Sequence, residues 1–333
     1  MDMVGIAVLG AGRIGKIHAA NVALSKFATL VAVADPFADA AARLAGELGA
    51  EAMTDCEAAI DRPDVAAIVI GTPTHTHINL MLRAVRQGKA VLCEKPIDLD
   101  MAKSVAAVEE VERLNGRVML AFNRRFENTF AQMRAAIDAG DIGEVRQVII
   151  SSRDPGLAPE DYIMSSGGIF RDMTIHDLDI GRWLLGEELV ELSAVGSRLI
   201  DAPLMQRHDD YDTAMVQMQT ASGKQCHINN SRHCVYGYDQ RIEVFGSKGM
   251  LQMDNLRPTT IRRWSEDVTD AREPLLNFFL ERYQQAYKAE LDAYIDALAH
   301  GKPMPTTVQD GLQALRLADA AVESVKTGRA VRL

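Results

Sequence analysis

An α/β chain is predicted, with a doubly wound parallel sheet near the N-terminus followed by an α+β region built on a large, open, mainly antiparallel sheet. Three observations predict it. First, short apolar runs at residues 5–9, 30–34, 66–70, 90–93 and 117–121 alternate with Ala-rich segments of helical period, the rhythm of βαβ units. Second, from about Glu144 the chain reads as strands separated by turn signals. These strands are residues 145–153, 211–220, 225–233, 240–245 and 250–254, with "SGK" and "GSKG" between some of them. Runs of strands without intervening helices imply antiparallel pairing. Third, two long Ala/Leu-rich helical patterns, residues 275–300 and 308–326, close the chain. The change of rhythm places the domains at residues 1–122 and 123–333.

Composition agrees with an enzyme-sized globular protein. A chain of 333 residues is long for one core and comfortable for two. Its net charge of −10 argues against a nucleic-acid or anionic-membrane surface, which would favour clustered Lys and Arg. Small polar partners fit better. Cys56, Cys93, Cys226 and Cys234 show no metal-type CxxC spacing, and the N-terminus lacks the basic flank and apolar run of a signal peptide. A reduced, cytoplasmic protein is expected, and no apolar run approaches the ~20 residues that a membrane helix needs. Neither repeats nor low-complexity stretches interrupt the chain.

In "IAVLGAGRIGKIHAA", Gly10, Gly12 and Gly15 form GxGxxG straight after an apolar strand and at the opening of a helix that begins with Arg13 and Ile14. Glycines there permit the tight turn and let backbone N–H groups approach a pyrophosphate. Twenty residues past Gly15, at the end of the next apolar run, Asp35 is placed to accept hydrogen bonds from ribose hydroxyls. A carboxylate there repels a 2′-phosphate, and Pro36 and Phe37 supply no cation to bind one. NAD is favoured over NADP. A glycine turn without a dinucleotide is the plainer alternative, and strand, glycines and acid together speak against it.

Two further clusters fall where later parallel strands should end, the edge at which open α/β sheets bind ligands. "VIGTPTHTH" places Thr72, Pro73 and His77 there, and "AVLCEKPI" places Glu94, Lys95 and Pro96. Lys95 has largely apolar neighbours, so its ammonium can hold a substrate hydroxyl and favour a developing alkoxide. Without the dinucleotide motif, solvated surface residues would be the preferred reading. In the second domain "GGIFRDMTIHDLD" sets Asp172, His176 and Asp179 at spacings of four and three between apolar residues. Metal ligation, a proton-transfer pair and a helix cap all remain open from that stretch alone.

GAGRIG, TPTHTH, CEKP and GGIFRDMTIHD, in this order and at these separations, resemble the glucose-fructose oxidoreductase / inositol dehydrogenase / MocA family over essentially the whole chain. "SRDP…GGIFRDMTIHDLDIGRWLLGE" with "YGYDQR" resembles its inositol 2-dehydrogenase branch. The resemblance implies a Rossmann domain and a second domain whose sheet mediates assembly, commonly into tetramers or else dimers. It also implies that Lys95, Asp172 and His176 match the family's catalytic positions. No metal is expected, since Asp177 and Asp179 come too soon for a closed site and no second His or Cys stands nearby. A neutral imidazole suits removal of a hydroxyl proton, which makes His176 the candidate base, with Asp172 orienting it, binding a substrate hydroxyl or capping the helix. Asp177 and Asp179 read as structural, and Ile175, Leu178 and Leu184 as the buried helix face.

By the same resemblance the substrate pocket draws on Asn123, Arg124, Asp154 and either Tyr236 or Tyr238, groups that suit a polyol. Cross-strand packing is the plainer reading of the tyrosines. Some inositol dehydrogenases carry a histidine where this chain has Ser152 and a methionine where it has Asn123, so the isomer stays open. The expected activity is NAD-dependent oxidation of a cyclitol, with a scyllo-inositol or aldose dehydrogenase as the rival. An NAD-binding regulator without turnover would not explain the Lys95, Asp172 and His176 set. A purely structural sheet protein would not explain the glycines and Asp35.

Overall fold

A computed structural model describes residues 3–333. It forms two compact units, one made of the chain up to Phe126 with Gln285–Leu315, the other of Glu127–Gln284 with Arg316–Leu333.

The first unit runs β1 (Val4–Leu9), α1 (Arg13–Leu24), β2 (Ala28–Ala34), α2 (Ala38–Leu48), β3 (Glu51–Met53) and α3 (Cys56–Asp61). It continues with β4 (Ala67–Ile70), α4 (His77–Arg86), β5 (Ala90–Glu94), α5 (Met101–Arg113) and β6 (Val118–Ala121). Six parallel strands lie in the order 3-2-1-4-5-6. Strands covered on both faces read as continuous apolar runs, and every residue of β4 and β6 is buried. Only the three-residue edge strand β3, with its polar start, escaped the sequence pattern. Ile6, Val8, Val33, Val69, Leu92 and Met119 share a core with Leu291, Tyr294 and Ile295 from the helix Gln284–His300. Polar bonds anchor the same late segment: Arg117 donates to the carbonyls of Ala297 and Lys302, and the Thr306 hydroxyl to that of Leu120.

The second unit contains α6 (Asn128–Asp138), β7 (Val145–Arg153), α7 (Glu160–Ser166), α8 (Ile175–Leu185), β8 (Leu189–Ser197), α9 (Ala202–Arg207) and β9 (Thr213–Thr220). Then follow β10 (Gln225–Ser231), β11 (Asp239–Gly246), β12 (Met250–Met253), a short β13–β14 pair (Arg262–Arg263, Ala271–Arg272) and α10 (Phe279–Arg282). The helices α11 (Gln284–His300) and α12 (Val308–Thr327) and the strand β15 (Val331–Arg332) end the chain. Seven strands lie in the order 12-11-7-10-9-8-15, and only β7 and β10 pair in parallel. The sheet is therefore mixed and mostly antiparallel. Sequence reading missed β8, where a register shift between Leu189 and Glu191 breaks the alternation of buried residues.

One face of this sheet is buried through Val148, Ile150, Val216, Ile228, Ile242 and Val244, with α8 against β7 and β10. Gly181 makes that approach possible, because a Cβ there would stand 2.8 Å from the Cys226 sulfur. The opposite face leaves Ile149, Val195, Met215 and Phe245 between 41% and 64% exposed. Before α8, residues Phe170–Thr174 form a π-helical turn, a distortion that recurs at functional sites. No described helix is long and apolar enough to cross a membrane.

Candidate active site

In the first unit the candidate groups gather at the carboxyl edge of the parallel sheet. Gly10 follows β1 at φ +97°, a region that disfavours side chains, and its N–H bonds the Ala34 carbonyl at 2.7 Å. Gly15 lies in the first turn of α1, where a Cβ would stand 1.9 Å from the Gly10 carbonyl oxygen. Gly12 precedes that helix as its cap residue, and a Cβ on it would meet nothing within 4 Å. Two glycines therefore shape the loop, and the third leaves its outer side open. That is the cradle a pyrophosphate needs at a helix N-terminus, where Arg13 and Ile14 begin α1. Asp35 is buried just past β2 and joins both parts of the cradle. It accepts the Ala11 N–H on Oδ2 at 2.7 Å and the Phe37 N–H on Oδ1 at 2.8 Å, leaving lone pairs for a diol.

Thr72 and Pro73 follow β4, and the Thr72 hydroxyl bonds that of Thr76 at 2.6 Å. His77 is buried, with Nδ1 2.8 Å from the Pro96 carbonyl oxygen and Nε2 2.9 Å from that of Thr72. Burial pushes its pKa down, and a neutral ring donates to only one of the two. His77 thus braces the loops after β4 and β5 instead of presenting its nitrogens to a ligand. Lys95 follows the last residue of β5 and is half-buried, and Asn123 and Arg124 sit buried in the turn after β6, where the neighbouring Arg125 pairs with Asp310 at 3.0 Å.

Glu94 is turned into the fold. Its carboxylate lies 2.8 Å from Nε2 of the buried His18 on α1, which meets the Tyr287 ring edge-on. Beside it Glu290 on α11 has 0% exposure and no hydrogen-bond partner on either oxygen among the described residues. Burial first, and the Glu94 charge second, raise its pKa well above the carboxylate range. A folded-state acid with a raised pKa contributes stability that is complete below its unfolded pKa and is lost as pH rises toward the folded value. In that window the group alone lowers stability by about 1.4 kcal/mol per pH unit. Glu290→Gln, neutral and of similar shape, is expected to flatten the fall of melting temperature as pH rises from the ordinary carboxylate pKa of about 4.3 upward. Parallel melting curves of variant and wild type would refute this.

In the second unit Asp172 lies within the π-helical turn and His176 in the first turn of α8, so their spacing is not that of a regular α-helix. Asp172 is not a cap. Its Oδ1 accepts the Tyr162 hydroxyl at 2.7 Å, and its Oδ2 lies 3.6 Å from the Arg232 guanidinium. Asp177 and Asp179 are buried with Ile175, Leu178 and Leu184, and Asp177 accepts from Asn230 at 2.8 Å. Asp154 follows β7, its N–H bonded to the Ser231 carbonyl at 2.9 Å. Tyr236 donates to Asp239 at 2.8 Å and accepts from Arg153 at 2.7 Å, whereas Tyr238 is buried edge-on against Tyr283. Ser152 is buried against Gln240, with an Nε2–Oγ distance of 2.8 Å. Sequence reading missed His18, Glu290, Tyr162 and Arg232. His18 stood one turn beyond the glycines and could have been noticed; the others depend on distant segments.

A glycine loop at a helix N-terminus with Asp35 bonded to it lies in one unit, and Asp172 and His176 lie in the other. The NAD-binding Rossmann-fold oxidoreductase family matches residues 4–122, and the GFO/IDH/MocA C-terminal domain matches residues 130–252. The chain belongs to the GFO/IDH/MocA family. An inositol 2-dehydrogenase of Rhizobium meliloti (strain 1021) is 50% identical over 326 residues, 98% of either chain. A myo-inositol dehydrogenase structure from Corynebacterium glutamicum has a TM-score of 0.96 at 48% identity, covering 99% of each chain. A scyllo-inositol dehydrogenase from Lactobacillus casei, solved with NAD(H) and scyllo-inositol, has a TM-score of 0.92 at 28% identity, again covering 99% of each.

For this GFO/IDH/MocA chain Asp35 is expected to set the cofactor preference. NAD should exceed NADP in kcat/KM by ~10²-fold or more, because a phosphate would meet the Asp35 carboxylate and neither Pro36 nor Phe37 supplies a cation. Asp35→Ser should narrow that ratio without creating strong NADP binding. Equal use of both cofactors by the wild type would refute the assignment.

Proposed function

We propose that the chain is an NAD-dependent inositol 2-dehydrogenase, oxidising a secondary alcohol of myo-inositol to the ketone. The observation that carries this is full-length similarity to a chain of that name, joined to a dinucleotide cradle and the Lys95, Asp172 and His176 set. Gly10, Gly12, Gly15, Arg13, Ile14 and Asp35 would hold NAD, together with Thr72, Pro73 and Lys95 from the neighbouring loops, which His77 and Glu94 brace from within the fold. NAD, when bound, supplies the acceptor for the hydride that leaves the carbinol carbon.

The residues of the chain do the rest. Lys95 donates to the reacting hydroxyl oxygen and stabilises the negative charge that develops there. His176, as the neutral imidazole, takes the hydroxyl proton as the C=O bond forms. Asp172 favours the imidazolium that results. Asn123, Arg124, Asp154 and a tyrosine of the 236–238 turn bind the remaining hydroxyls. A ring with a hydroxyl on every carbon pairs most of these groups, whereas a 2-hydroxy acid leaves them unpaired at ~1–3 kcal/mol each.

The test is kcat/KM with NAD for myo-, scyllo- and chiro-inositol, glucose and lactate. Myo-inositol is expected first. Scyllo-inositol or glucose in first place would keep the mechanism and change the substrate, in line with the Lactobacillus casei relative. Lactate ahead of every polyol would overturn the reading, and NAD binding without turnover on any of them would favour a regulator. Assembly is part of the proposal. The apolar residues on the open sheet face, Ile149, Val195, Met215 and Phe245, suit a homotetramer or a dimer, which light scattering would distinguish from a monomer. Four cysteines without disulfides fit the cytoplasm.

A further inference from the structure

Arg232 follows β10 and is among the largest fully enclosed side chains of the protein, with 2% exposure, although it carries a charge. Its guanidinium reaches two carboxylates, Asp172 at 3.6 Å and Asp210 at 3.5 Å. Asp210 has other partners, since its Oδ1 accepts the N–H groups of Ile169 at 2.8 Å and Tyr211 at 2.7 Å. Gly168, at φ +84°, makes room for it, because a Cβ there would stand 2.9 Å from the same oxygen. Backbone donors thus hold Asp210 in place and Asp210 holds Arg232. The other oxygen of Asp172 takes the Tyr162 hydroxyl from α7.

We propose that Arg232 and Tyr162 are positioning residues that hold Asp172 as an oriented anion, four residues before His176 in the chain. The inference rests on the catalytic reading of Asp172 and His176 given above. An Asp172 carboxylate without these donors would concentrate its charge and bind a proton, its own or that of the imidazolium, more tightly. With them its charge is shared, and its pull on a proton carried by His176 is weaker. Although 48% of Tyr162 is exposed, desolvation around its hydroxyl first and the Asp172 charge second raise its pKa, so the hydroxyl stays a donor across the working range. Other charges near this turn have partners of their own, Arg171 with Asp319 on α12, Asp177 with Asn230, Arg153 with Asp239 and Glu160 with His208, and the Asp154 charge also acts on Tyr162.

The experiment measures kcat, KM and their pH profiles with NAD and myo-inositol for Tyr162→Phe, Arg232→Lys, Arg232→Met and Asp172→Asn, alongside NAD affinity and melting temperature. Tyr162 is 48% exposed, so Tyr162→Phe should fold even where Arg232→Met, which leaves two carboxylates without their cation, does not. Expected for Tyr162→Phe is a fall in kcat of about tenfold, a smaller change in KM and unchanged NAD affinity. Its acid limb should move to higher pH. Arg232→Lys, which keeps the charge, should shift the limb less than Arg232→Met. If Asp172→Asn is impaired while Tyr162→Phe and Arg232→Lys match wild type in kcat and acid limb, the positioning role is wrong. If Asp172→Asn itself matches wild type, the catalytic reading beneath it is wrong.

Discussion

His176→Ala is expected to lower turnover by ~10²–10⁴-fold while NAD affinity stays within about twofold of wild type. Lys95→Ala should lower turnover by a similar factor, and NAD affinity with it, because Lys95 also stands among the residues proposed to hold the cofactor. The two measurements separate chemistry from cofactor binding because His176 lies in the turn that opens α8, whereas the glycine loop and Asp35 belong to the first unit. In the wild type the oxidation rate should rise as His176 loses its proton, giving an acid limb whose apparent pKa belongs to the coupled group containing Asp172. In His176→Ala that limb should vanish along with most of the rate. Full turnover in the variant, with a profile flat from acid to neutral pH, would remove His176 as the base.

The second large effect is at the glycines, and the structure assigns them different tasks. Gly15→Ala puts a Cβ 1.9 Å from the Gly10 carbonyl, a backbone atom that cannot turn aside. The loop after β1 must move away from α1, at the 1–3 kcal/mol or so that overpacking usually costs. Melting temperature and NAD affinity should fall together, the latter by ~10²-fold or more as the N–H groups of the cradle lose their aim. Gly12→Ala meets nothing within 4 Å, so its melting temperature should stay at the wild-type value. NAD affinity should still fall, because the added methyl occupies the side from which the pyrophosphate approaches. Calorimetry and melting curves on both variants test the contrast. Unchanged NAD binding in both would mean that the loop holds no dinucleotide.

How much of this was legible depends on the range of the signals. The glycine motif, Asp35 and the apolar runs of β1, β2, β4, β5 and β6 are local patterns, written within a few residues of one another. Asp172 and His176 were proposed from the same kind of local pattern, yet the turn that carries Asp172 proved to be π-helical, with His176 in the helix after it, which no spacing rule at 3.6 residues would produce. Glu290 looked like any acidic residue on an amphipathic helix. Its isolation becomes visible only when α11, some 190 residues after β5, packs beside Glu94. Arg232 stood in "NSRHC" with nothing to separate it from a surface cation, because its partners Asp172 and Asp210 lie in other segments. Tyr236 and Tyr238 differ in a similar way. Their motif named both, and only the cluster around Asp239 and the ring of Tyr283 separates one from the other.

The core of the NAD-binding unit has an order of assembly built into it. Ile6, Val8, Val33, Val69, Leu92 and Met119 come early in synthesis, but Leu291, Tyr294 and Ile295, which complete the same core, come near the end. A nascent chain that has passed β6 has made every strand of the six-stranded sheet and still lacks the late helix that packs on it. Domains generally fold as units, N-terminal first, as they leave the ribosome. Here the first unit must wait for the second to be translated, holding apolar surface open to water in the meantime. That is the kind of surface chaperones bind and aggregation exploits. A fragment ending after β6 therefore carries the whole dinucleotide motif on a sheet whose core is unfinished, and a lesion in α11, far from any cofactor-binding residue in sequence, acts as a lesion in the cofactor domain.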